Sequence, residues 1–316
     1  MANLPTKIIL ALTSLVQIAR PIHWVKNLAL FAALIFTGNL YNQALFIKVI
    51  WAIITFNLAT SATYIFNDVA DFKRDRLHPI KKHRPVASGK LSVSLALFAA
   101  LTFAVFSLAL AKDLSPLFFF MVGAYLALQT LYSLGLKNLA IIDILVIAAG
   151  FIIRVYAGAF VIDAHLSVWF LLCVISVALF LAAGKRRAEL NLLPSGVTRG
   201  SLTHYQPELL NSYVTMFGNA AWMSWALFTF FESPRASLPV WLFLAEISRA
   251  TTVNKLLMVT IPVTIFGVMR YQSLIFEGRS EAPEKLLLTD IALVSSIILW
   301  LGLVIWILYG GVATYV

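Results

Sequence analysis

Long apolar runs constrain this chain more than any other feature of its sequence. A membrane-spanning helix needs about 20 mainly apolar residues, and nine such runs occur. They cover roughly residues 28–44, 46–66, 91–111, 114–136, 139–162, 166–184, 213–232, 254–276 and 286–309. The sequence therefore predicts an all-α integral membrane protein with nine transmembrane helices.

The composition excludes a soluble protein. Of the 316 residues, 61% are apolar and 12% are charged, whereas a soluble domain is about 45–50% apolar and about 25% charged. The single cysteine, Cys173, excludes an intramolecular disulfide and a zinc site made of cysteines alone. Residues 1–26 are amphipathic and do not have the pattern of a secretory signal peptide.

The distribution of lysine and arginine predicts the orientation. With a cytoplasmic N-terminus, 18 of the 24 Lys and Arg residues fall on the inner side and five on the outer side, as the positive-inside rule requires. The predicted location is the cell (inner or plasma) membrane, with multiple crossings. The net charge of +10 does not indicate nucleic acid, because the cations cluster between apolar runs, where anionic lipid or phosphate ligands attract them.

The spans leave no room for a separate soluble domain. We predict one transmembrane domain over residues 1–316, with an interfacial helix within residues 1–26 and two cytoplasmic active-site loops, 67–90 and 185–208. A homo-oligomer is compatible with this organisation, for which the sequence carries no specific signal.

Three carboxylates follow the second apolar run. Asp68 and Asp71 are separated by three positions, and Asp71 and Asp75 by four, so a helix continuing this far places all three on one face. Like charges on one face repel, and a divalent cation removes that repulsion. Mg²⁺ prefers carboxylate oxygens and bridges to substrate phosphates. The alternative is a solvated loop in which the aspartates pair with neighbouring cations. The seven Lys and Arg residues from Lys73 to Lys90 favour a metal with a di- or triphosphate-like anion.

The motif Asn67-Asp68-x-x-Asp71-x-x-x-Asp75 after the second span resembles that of the UbiA superfamily of intramembrane prenyltransferases. The resemblance implies a helical bundle around a central cavity that opens to the cytoplasm and binds Mg²⁺ and a diphosphate. The continuation is similar to the decaprenyl-phosphate phosphoribosyltransferase branch of that family. It reads Asp75-Arg76-x-His78-Pro79-x-Lys81-x-x-Arg84-Pro85-x-Ala87-Ser88-Gly89. Further similar segments are Arg20-Pro21-x-His23-Trp24-Val25-Lys26-Asn27, Tyr132-Ser133-x-x-Leu136-Lys137 and Gly184-Lys185-Arg186-Arg187-Ala188-Glu189-Leu190.

The chain departs from ordinary prenyltransferases of this family after the sixth span. Those enzymes carry a second Asp-rich motif there, whereas this chain has Lys185, Arg186, Arg187 and Glu189. Added cations suit a donor with an extra phosphate and an acceptor that is itself a phosphate. The alternative is a cluster that sets topology and faces lipid headgroups; the resemblance favours phosphate binding.

The pattern and the resemblance together predict the site. Asp68, Asp71 and Asp75 are the predicted catalytic and Mg²⁺-binding residues. The predicted phosphate- and ribose-binding residues are Lys26, Asn27, Asn67, Arg76, Lys81, Arg84, Tyr132, Lys137, Asp143, Lys185, Arg186, Arg187 and Glu189. Asp143 is an intramembrane acid that either orders a substrate hydroxyl or pairs with a cation such as Lys137. Arg154 lies about 16 Å deeper along the helix, which favours a structural pairing or a snorkelling role.

The predicted reaction is Mg²⁺-dependent transfer of 5-phosphoribose from phosphoribosyl diphosphate to a polyprenyl phosphate. The main alternative is transfer of a prenyl group from a prenyl diphosphate to an aromatic or glycerol-phosphate acceptor. A transporter of an anionic metabolite is a further alternative, but the chain lacks a convincing pair of broken helices in matched halves.

Overall fold

The computed structural model describes residues 13–78, 81–191, 202–232, 251–278 and 283–311. Within these ranges the chain consists of helices joined by turns and contains no β-strand. Residues 13–19 are helical and lead into a 3₁₀ helix, Pro21–Leu30. The α-helices that follow are α1 (Phe31–Phe36), α2 (Gln43–Asp75), α3 (Val93–Leu114), α4 (Pro116–Leu134), α5 (Ile142–Val161), α6 (Val168–Asn191), α7 (Pro207–Phe231), α8 (Ile261–Phe276), α9 (Pro283–Thr289) and α10 (Ile291–Tyr309). Further 3₁₀ helices are Lys81–His83, Leu136–Asn138, Leu202–His204 and Thr251–Thr260.

In the described part of the chain, seven helices are long and apolar enough to cross a bilayer. They are Gln43–Asp75, Val93–Leu114, Pro116–Leu134, Ile142–Val161, Val168–Leu190, Lys255–Phe276 and Ile291–Tyr309. The predicted span 213–232 coincides with α7, which has 25 residues. Polar side chains lower the mean hydropathy of α7, and this helix is not among the seven.

The predicted first span, 28–44, differs from the structure. The apolar helical stretch is Pro21–Phe36, which begins and ends earlier than predicted. The helix stops before Gly38, whose φ of 77° suits glycine. Asn42 then starts α2, because its side chain accepts a hydrogen bond from Leu45 N at 3.2 Å.

The boundaries of the predicted loops and of the N-terminal helix also need correction. Residues 67–75 belong to α2 and residues 185–191 to α6, so the loops 67–90 and 185–208 are shorter than predicted. Residues 192–201 of the second loop and 1–12 of the predicted interfacial helix lie outside the described residues. The helical residues 13–19 end at Arg20, which takes the left-handed conformation with φ 54°.

One compact unit comprises the chain up to Leu34 with Leu40–Val146 and Ile153–Ala164. In it, α2 packs against α3, α4 and the 3₁₀ helix Pro21–Leu30. Small side chains of α2, such as Ser61, allow close approach, as is typical of membrane helices. Trp24 Nε1 donates to Ser61 Oγ at 3.1 Å, and this hydroxyl donates to Ala19 O at 3.1 Å. The buried core beside the first loop contains Ile18, Ile65, Val86, Leu91, Ala96 and Ala100.

A second compact unit comprises Ile35–Asn39, Ile147–Ile152 and the chain from His165 onward. Here α6 packs against α7, and α8 packs against α7 and α10. The ring of Phe36 lies 4.8 Å from that of Phe170 and 5.7 Å from that of Trp225. The core of this unit contains Phe180, Ala183, Val214, Tyr271, Leu274, Ile275, Leu286 and Leu293.

Candidate active site

Helix α2 carries the predicted aspartates on its last two turns. Because α2 continues to Asp75, the three carboxylates share one face, as predicted. Asp68 and Asp75 are buried, at 2% and 5% exposure, and the Asp71 side chain is 13% exposed. Three acids in such an environment require positive partners, because an uncompensated buried charge is strongly unfavourable.

Arg84 and Arg20 supply the positive charge at Asp68 and Asp75. Arg84 Nη1 donates to Asp68 Oδ1 at 3.0 Å and to Asp75 Oδ2 at 2.7 Å. Arg20 forms a second ion pair with Asp68 through its Nη2. One guanidinium nitrogen of Arg84 therefore lies between two carboxylates, and Asp68 is shared by two arginines.

Lys137 supplies the charge at Asp71. Its Nζ donates to Asp71 Oδ1 at 2.6 Å and to Asn67 Oδ1 at 3.3 Å, and the lysine is buried at 2% exposure. The structure thus brings Asn67, Asp71 and Lys137 together. The residues responsible come from α2 and from the short 3₁₀ helix Leu136–Asn138.

The oxygen atoms of this cluster are suitable ligands for a divalent cation such as Mg²⁺. Three carboxylates and the Asn67 amide oxygen on one helix face are the hard oxygen ligands that Mg²⁺ takes. Among the described residues, no three Asp, Glu, His or Cys side chains already form a group that could hold a metal ion. The predicted triad is therefore not assembled as a metal-binding group, because each aspartate is in contact with a cation.

A cleft of about 280 Å³ opens beside Asp68. Its lining is rich in hydrogen-bond donors and consists of Gln17, Arg20, His23, Asp68, His83, Arg84 and Pro85. Arginine and imidazole groups around an open volume are suited to phosphate oxygens. The cleft and the four ion pairs lie within the first compact unit.

Gln17, Arg20, His23 and His83 line the cleft but are absent from the predicted site residues. A sequence signal existed for Arg20 and His23, which belong to the similar segment ending at Asn27. Arg20 also has a positive φ of 54°, which is uncommon for a residue with a side chain. A backbone outlier at a cleft is grounds for a functional hypothesis. Here it accompanies the contact between Arg20 and Asp68.

The loop after α2 is held in place by its own contacts. Arg76 Nε donates to Ala87 O at 3.0 Å, and its guanidinium lies 5.4 Å from the ring centre of Phe72. Ser88 N donates to Arg84 O at 2.8 Å. Arg76 thus fixes the part of the loop that presents Arg84, while Lys81 is half-buried in the short 3₁₀ helix Lys81–His83.

Asn27 belongs to a buried polar network. Its Nδ2 donates to Asn57 Oδ1 at 2.7 Å and to Thr60 Oγ1 at 3.2 Å. Its Oδ1 accepts from Arg154 Nε at 2.7 Å, and Arg154 Nη2 donates to Tyr125 OH at 2.9 Å. Arg154 therefore has the structural pairing that the sequence favoured. Both the nitrogen and the oxygen of the Asn27 amide are hydrogen-bonded, so Asn27 stabilises the backbone that carries the neighbouring half-buried Lys26.

Two other predicted residues of the first unit lie near helix ends. Asp143 is completely buried in the first turn of α5, and its Oδ1 accepts from Ile144 N at 2.9 Å. Tyr132 is half-buried in the last turn of α4, close in sequence to Lys137. The predicted contact partner of Asp143, Lys137, directs its ammonium group to Asp71 and Asn67.

The second basic cluster lies on the last turns of α6, in the second unit. Arg186 is completely buried and forms an ion pair with Glu189, three positions along the helix. Arg187 Nε donates to Asn211 Oδ1 of α7 at 2.5 Å. Lys185 and Arg187 are half-buried. Arg186 and Glu189 thus neutralise each other, and Lys185 and Arg187 are the more accessible cations of this cluster.

The sequence is similar to known membrane transferases. The UbiA prenyltransferase family matches residues 27–244. A protein of Mycolicibacterium smegmatis named decaprenyl-phosphate phosphoribosyltransferase is 35% identical over 297 residues, covering 92% of this chain and 91% of that protein. A protein of the same name from Corynebacterium glutamicum is 33% identical over 303 residues, covering 93% of this chain and 86% of that protein.

The fold is similar to that of a solved UbiA homolog. The structure of a UbiA homolog from Archaeoglobus fulgidus bound to GPP and Mg²⁺ matches with a TM-score of 0.66 and 16% identity, covering 93% of this chain and 97% of that one. The resemblance first indicated by the aspartate motif is confirmed by these matches, and the chain is an integral membrane transferase. It belongs to the UbiA prenyltransferase family.

Proposed function

We propose that this transferase moves 5-phosphoribose from phosphoribosyl diphosphate to a polyprenyl phosphate such as decaprenyl phosphate. The products are polyprenyl-phosphoryl-5-phosphoribose and diphosphate, and the lipid product is a precursor of an arabinan-type sugar donor for the cell wall. The observation that carries the proposal is the similarity, at 33–35% identity over nearly the whole chain, to proteins named decaprenyl-phosphate phosphoribosyltransferase.

Asp68, Asp71, Asp75 and Asn67 are the residues that would hold Mg²⁺ together with the donor diphosphate. Their carboxylate and amide oxygens support this assignment, and so does the Mg²⁺ in the similar Archaeoglobus fulgidus structure. When bound, the ion supplies electrostatic stabilisation of negative charge on the diphosphate. Arg20, Arg84 and Lys137, which contact these aspartates, would donate hydrogen bonds to phosphate oxygens.

The proposed chemistry requires charge neutralisation and positioning. As the bond between ribose C1 and the diphosphate oxygen breaks, electrons move to the diphosphate, where Arg20, Arg84 and Lys137 stabilise them. A lipid phosphate oxygen then forms the new bond to C1 from the opposite face, which inverts the configuration. The attacking phosphate is already deprotonated at neutral pH, so no general base is needed and the main task is to align the reactants.

The basic cluster of α6 supports a substrate with more phosphate than a prenyl diphosphate. We assign Lys185 and Arg187 to a phosphate group, whereas the ion pair between the buried Arg186 and the partly exposed Glu189 fixes the helix end. In the first unit, Lys26, Arg76, Lys81 and Tyr132 would contribute further donors, and Asp143 would order a ribose hydroxyl. Charge-assisted hydrogen bonds from such groups are stronger than neutral ones.

The orientation and location belong to the same proposal. The positive-inside bias supports a cytoplasmic N-terminus and a cytoplasmic entrance to the site, in the plasma membrane, where a polyprenyl tail can enter between helices. We propose that the chain crosses the bilayer nine times, with the stretches around Pro21–Phe36 and α7 completing the seven clearer spans.

The test is a transfer assay with the purified protein in detergent. We expect ribose-labelled phosphoribosyl diphosphate and decaprenyl phosphate to give a labelled lipid in a Mg²⁺-dependent reaction. A parallel reaction contains a prenyl diphosphate with aromatic or glycerol-phosphate acceptors. Prenyl transfer without labelled phosphoribosyl lipid would replace the proposal with the prenyltransferase alternative. Product formation without a sealed vesicle would exclude transport as the sole activity.

A further inference from the structure

We propose that the metal and the diphosphate bind this site cooperatively, and that the ion pairs of the free protein weaken its binding of the bare metal ion. The inference rests on the proposed function, since it assumes that Asp68, Asp71 and Asp75 hold a metal-bound diphosphate. It follows from the three cations that contact these aspartates, Arg20, Arg84 and Lys137. These residues act as internal substitutes for the metal and release the carboxylates when phosphate oxygens are available to accept their hydrogen bonds.

The position of Arg84 provides the geometric argument. Its Nη1 lies 3.0 Å from Asp68 Oδ1 and 2.7 Å from Asp75 Oδ2, so the nitrogen occupies the space between the two carboxylates. A metal ion bridging these oxygens would need this space, because Mg²⁺ binds oxygen at about 2.0–2.1 Å. Arg84 must therefore move before a metal can bridge Asp68 and Asp75.

Burial explains why Lys137 does not simply move into water. The Lys137 side chain is 3% exposed, and those of its ion-pair partner Asp71 and of Asp68 are 13% and 2% exposed. Separating such a pair without new partners leaves buried charges uncompensated, which is strongly unfavourable. Lys137 thus needs another anion nearby before it can leave Asp71, and a diphosphate supplies one.

Charge balance favours the joint ligand over the metal alone. The three ion-paired aspartates carry three negative charges, and Arg20, Arg84 and Lys137 carry three positive ones. Adding a bare dication leaves two positive charges uncompensated in a partly buried cluster. A metal-bound diphosphate brings phosphate oxygens together with the metal, so the carboxylates face the metal, the Arg and Lys groups face phosphate oxygens, and each charged group keeps a partner of opposite charge.

The thermodynamic consequence is positive coupling between metal and diphosphate. Each ligand removes the cost of rearranging the ion pairs for the other, and such coupling is reciprocal. We expect inorganic diphosphate to raise the metal affinity by at least about tenfold, within the usual range of coupling between two ligands. The coupling should depend on Arg84, whose guanidinium stands between the two aspartates.

Equilibrium dialysis of the full-length protein in zwitterionic-lipid nanodiscs tests the inference. Mn²⁺, which also prefers oxygen ligands, is dialysed with and without inorganic diphosphate, and the excess metal on the protein side is measured against empty nanodiscs. We expect the Mn²⁺ affinity to be at least about tenfold higher with diphosphate than without it. Equal retention without diphosphate, or no retention in either condition, overturns the inference. Because no transfer reaction is involved, the result is independent of which substrates the protein uses.

A variant pair tests the role of the arginine. Arg84→Gln should bind Mn²⁺ alone about tenfold more tightly than the wild type and lose most of the gain from diphosphate. The matched control, Arg270→Gln, breaks the ion pair with Asp290 in the other unit and should behave as the wild type. If Arg84→Gln does not fold, Arg20→Gln replaces it, with the same expectation at Asp68. An unchanged affinity for bare Mn²⁺ in the folded variant overturns the inference.

Discussion

The ammonium nitrogen of Lys137 lies 2.6 Å from Asp71 Oδ1, although 66 residues separate the two in sequence. The contact joins the short 3₁₀ helix Leu136–Asn138 to the end of α2 and is almost completely shielded from solvent. It therefore serves both the stability of the unit and the charge balance of the site.

Replacing Lys137 should affect both properties. In Lys137→Met the buried carboxylate of Asp71 loses its partner, and we expect a loss of about 3–5 kcal/mol in the free energy of unfolding. Lys137→Arg keeps the charge and should retain most of the stability. Thermal unfolding of the ligand-free protein in detergent, followed by tryptophan fluorescence, measures the difference in stability between the variants. Equal melting temperatures for Lys137→Met and the wild type would disprove the structural role of this pair.

The 3₁₀ helix Pro21–Leu30 depends on a glycine of α5. A Cβ atom at Gly158 would lie 2.1 Å from the backbone oxygen of Leu30, whereas one at Gly123 of α4 would have no atom within 4 Å. We expect Gly158→Ala to destabilise the protein by about 1–3 kcal/mol, as overpacking does. Gly123→Ala should be neutral or stabilising by up to about 1 kcal/mol, because alanine favours helices. The same melting temperature for both variants would contradict the close approach of α5 to Leu30.

Arg154 should act as a positioning residue for the cleft. It contacts Asn27 on the 3₁₀ helix, and His23 on that helix lines the cleft. Arg154→Met leaves the Asn27 oxygen and the Tyr125 hydroxyl without this donor, at a cost of about 1–3 kcal/mol. We expect reduced kcat with partial recovery in Arg154→Lys. If steady-state kinetics show that both variants retain wild-type kcat and KM, Arg154 has no influence on the site.

Arg187 should contribute to phosphate binding. In Arg187→Gln we expect a rise of about tenfold or more in KM for one phosphate substrate, because hydrogen bonds to charged groups contribute about 1.5–3 kcal/mol. Initial rates measured while each substrate is varied separately identify which phosphate is affected. Lys112→Gln removes an exposed lysine at the end of α3 and serves as the charge-matched control. An unaltered KM for both substrates would show that Arg187 does not bind a substrate phosphate.

The sequence predicted those parts of the fold that depend on local pattern. Apolar run length located seven helices that are long and apolar enough to span a membrane, and the spacing of Asp68, Asp71 and Asp75 predicted their common face on α2. The pattern failed at Gly38 and Arg20, where a single backbone conformation ends a helix. Hydropathy is insensitive to one residue with positive φ, so the end of the first predicted span was wrong.

The partners of the aspartates were beyond sequence analysis. Arg20 and Arg84 lie 48 and 16 residues from Asp68, and only tertiary packing brings both to the same oxygen. The sequence-based alternative placed the aspartates in a solvated loop with neighbouring cations, whereas the structure places them on α2. There, Asp68 and Asp75 are buried, and the paired cations Arg20 and Lys137 are distant in sequence. The proposed exchange between an ion-paired state and a metal-bound state of the aspartates connects the observed contacts with the metal hypothesis.

The rate of phosphoribosyl lipid formation in Asp68→Asn is the direct test of the proposed role of the aspartates. We expect a loss of at least about 100-fold, because this substitution removes the carboxylate shared by Arg20, Arg84 and the proposed metal, and such electrostatic groups contribute about 10²–10³ in rate. Asp113→Asn, which alters an exposed aspartate near the end of α3, should retain wild-type activity. Full transfer activity in folded Asp68→Asn would disprove the proposed role of Asp68.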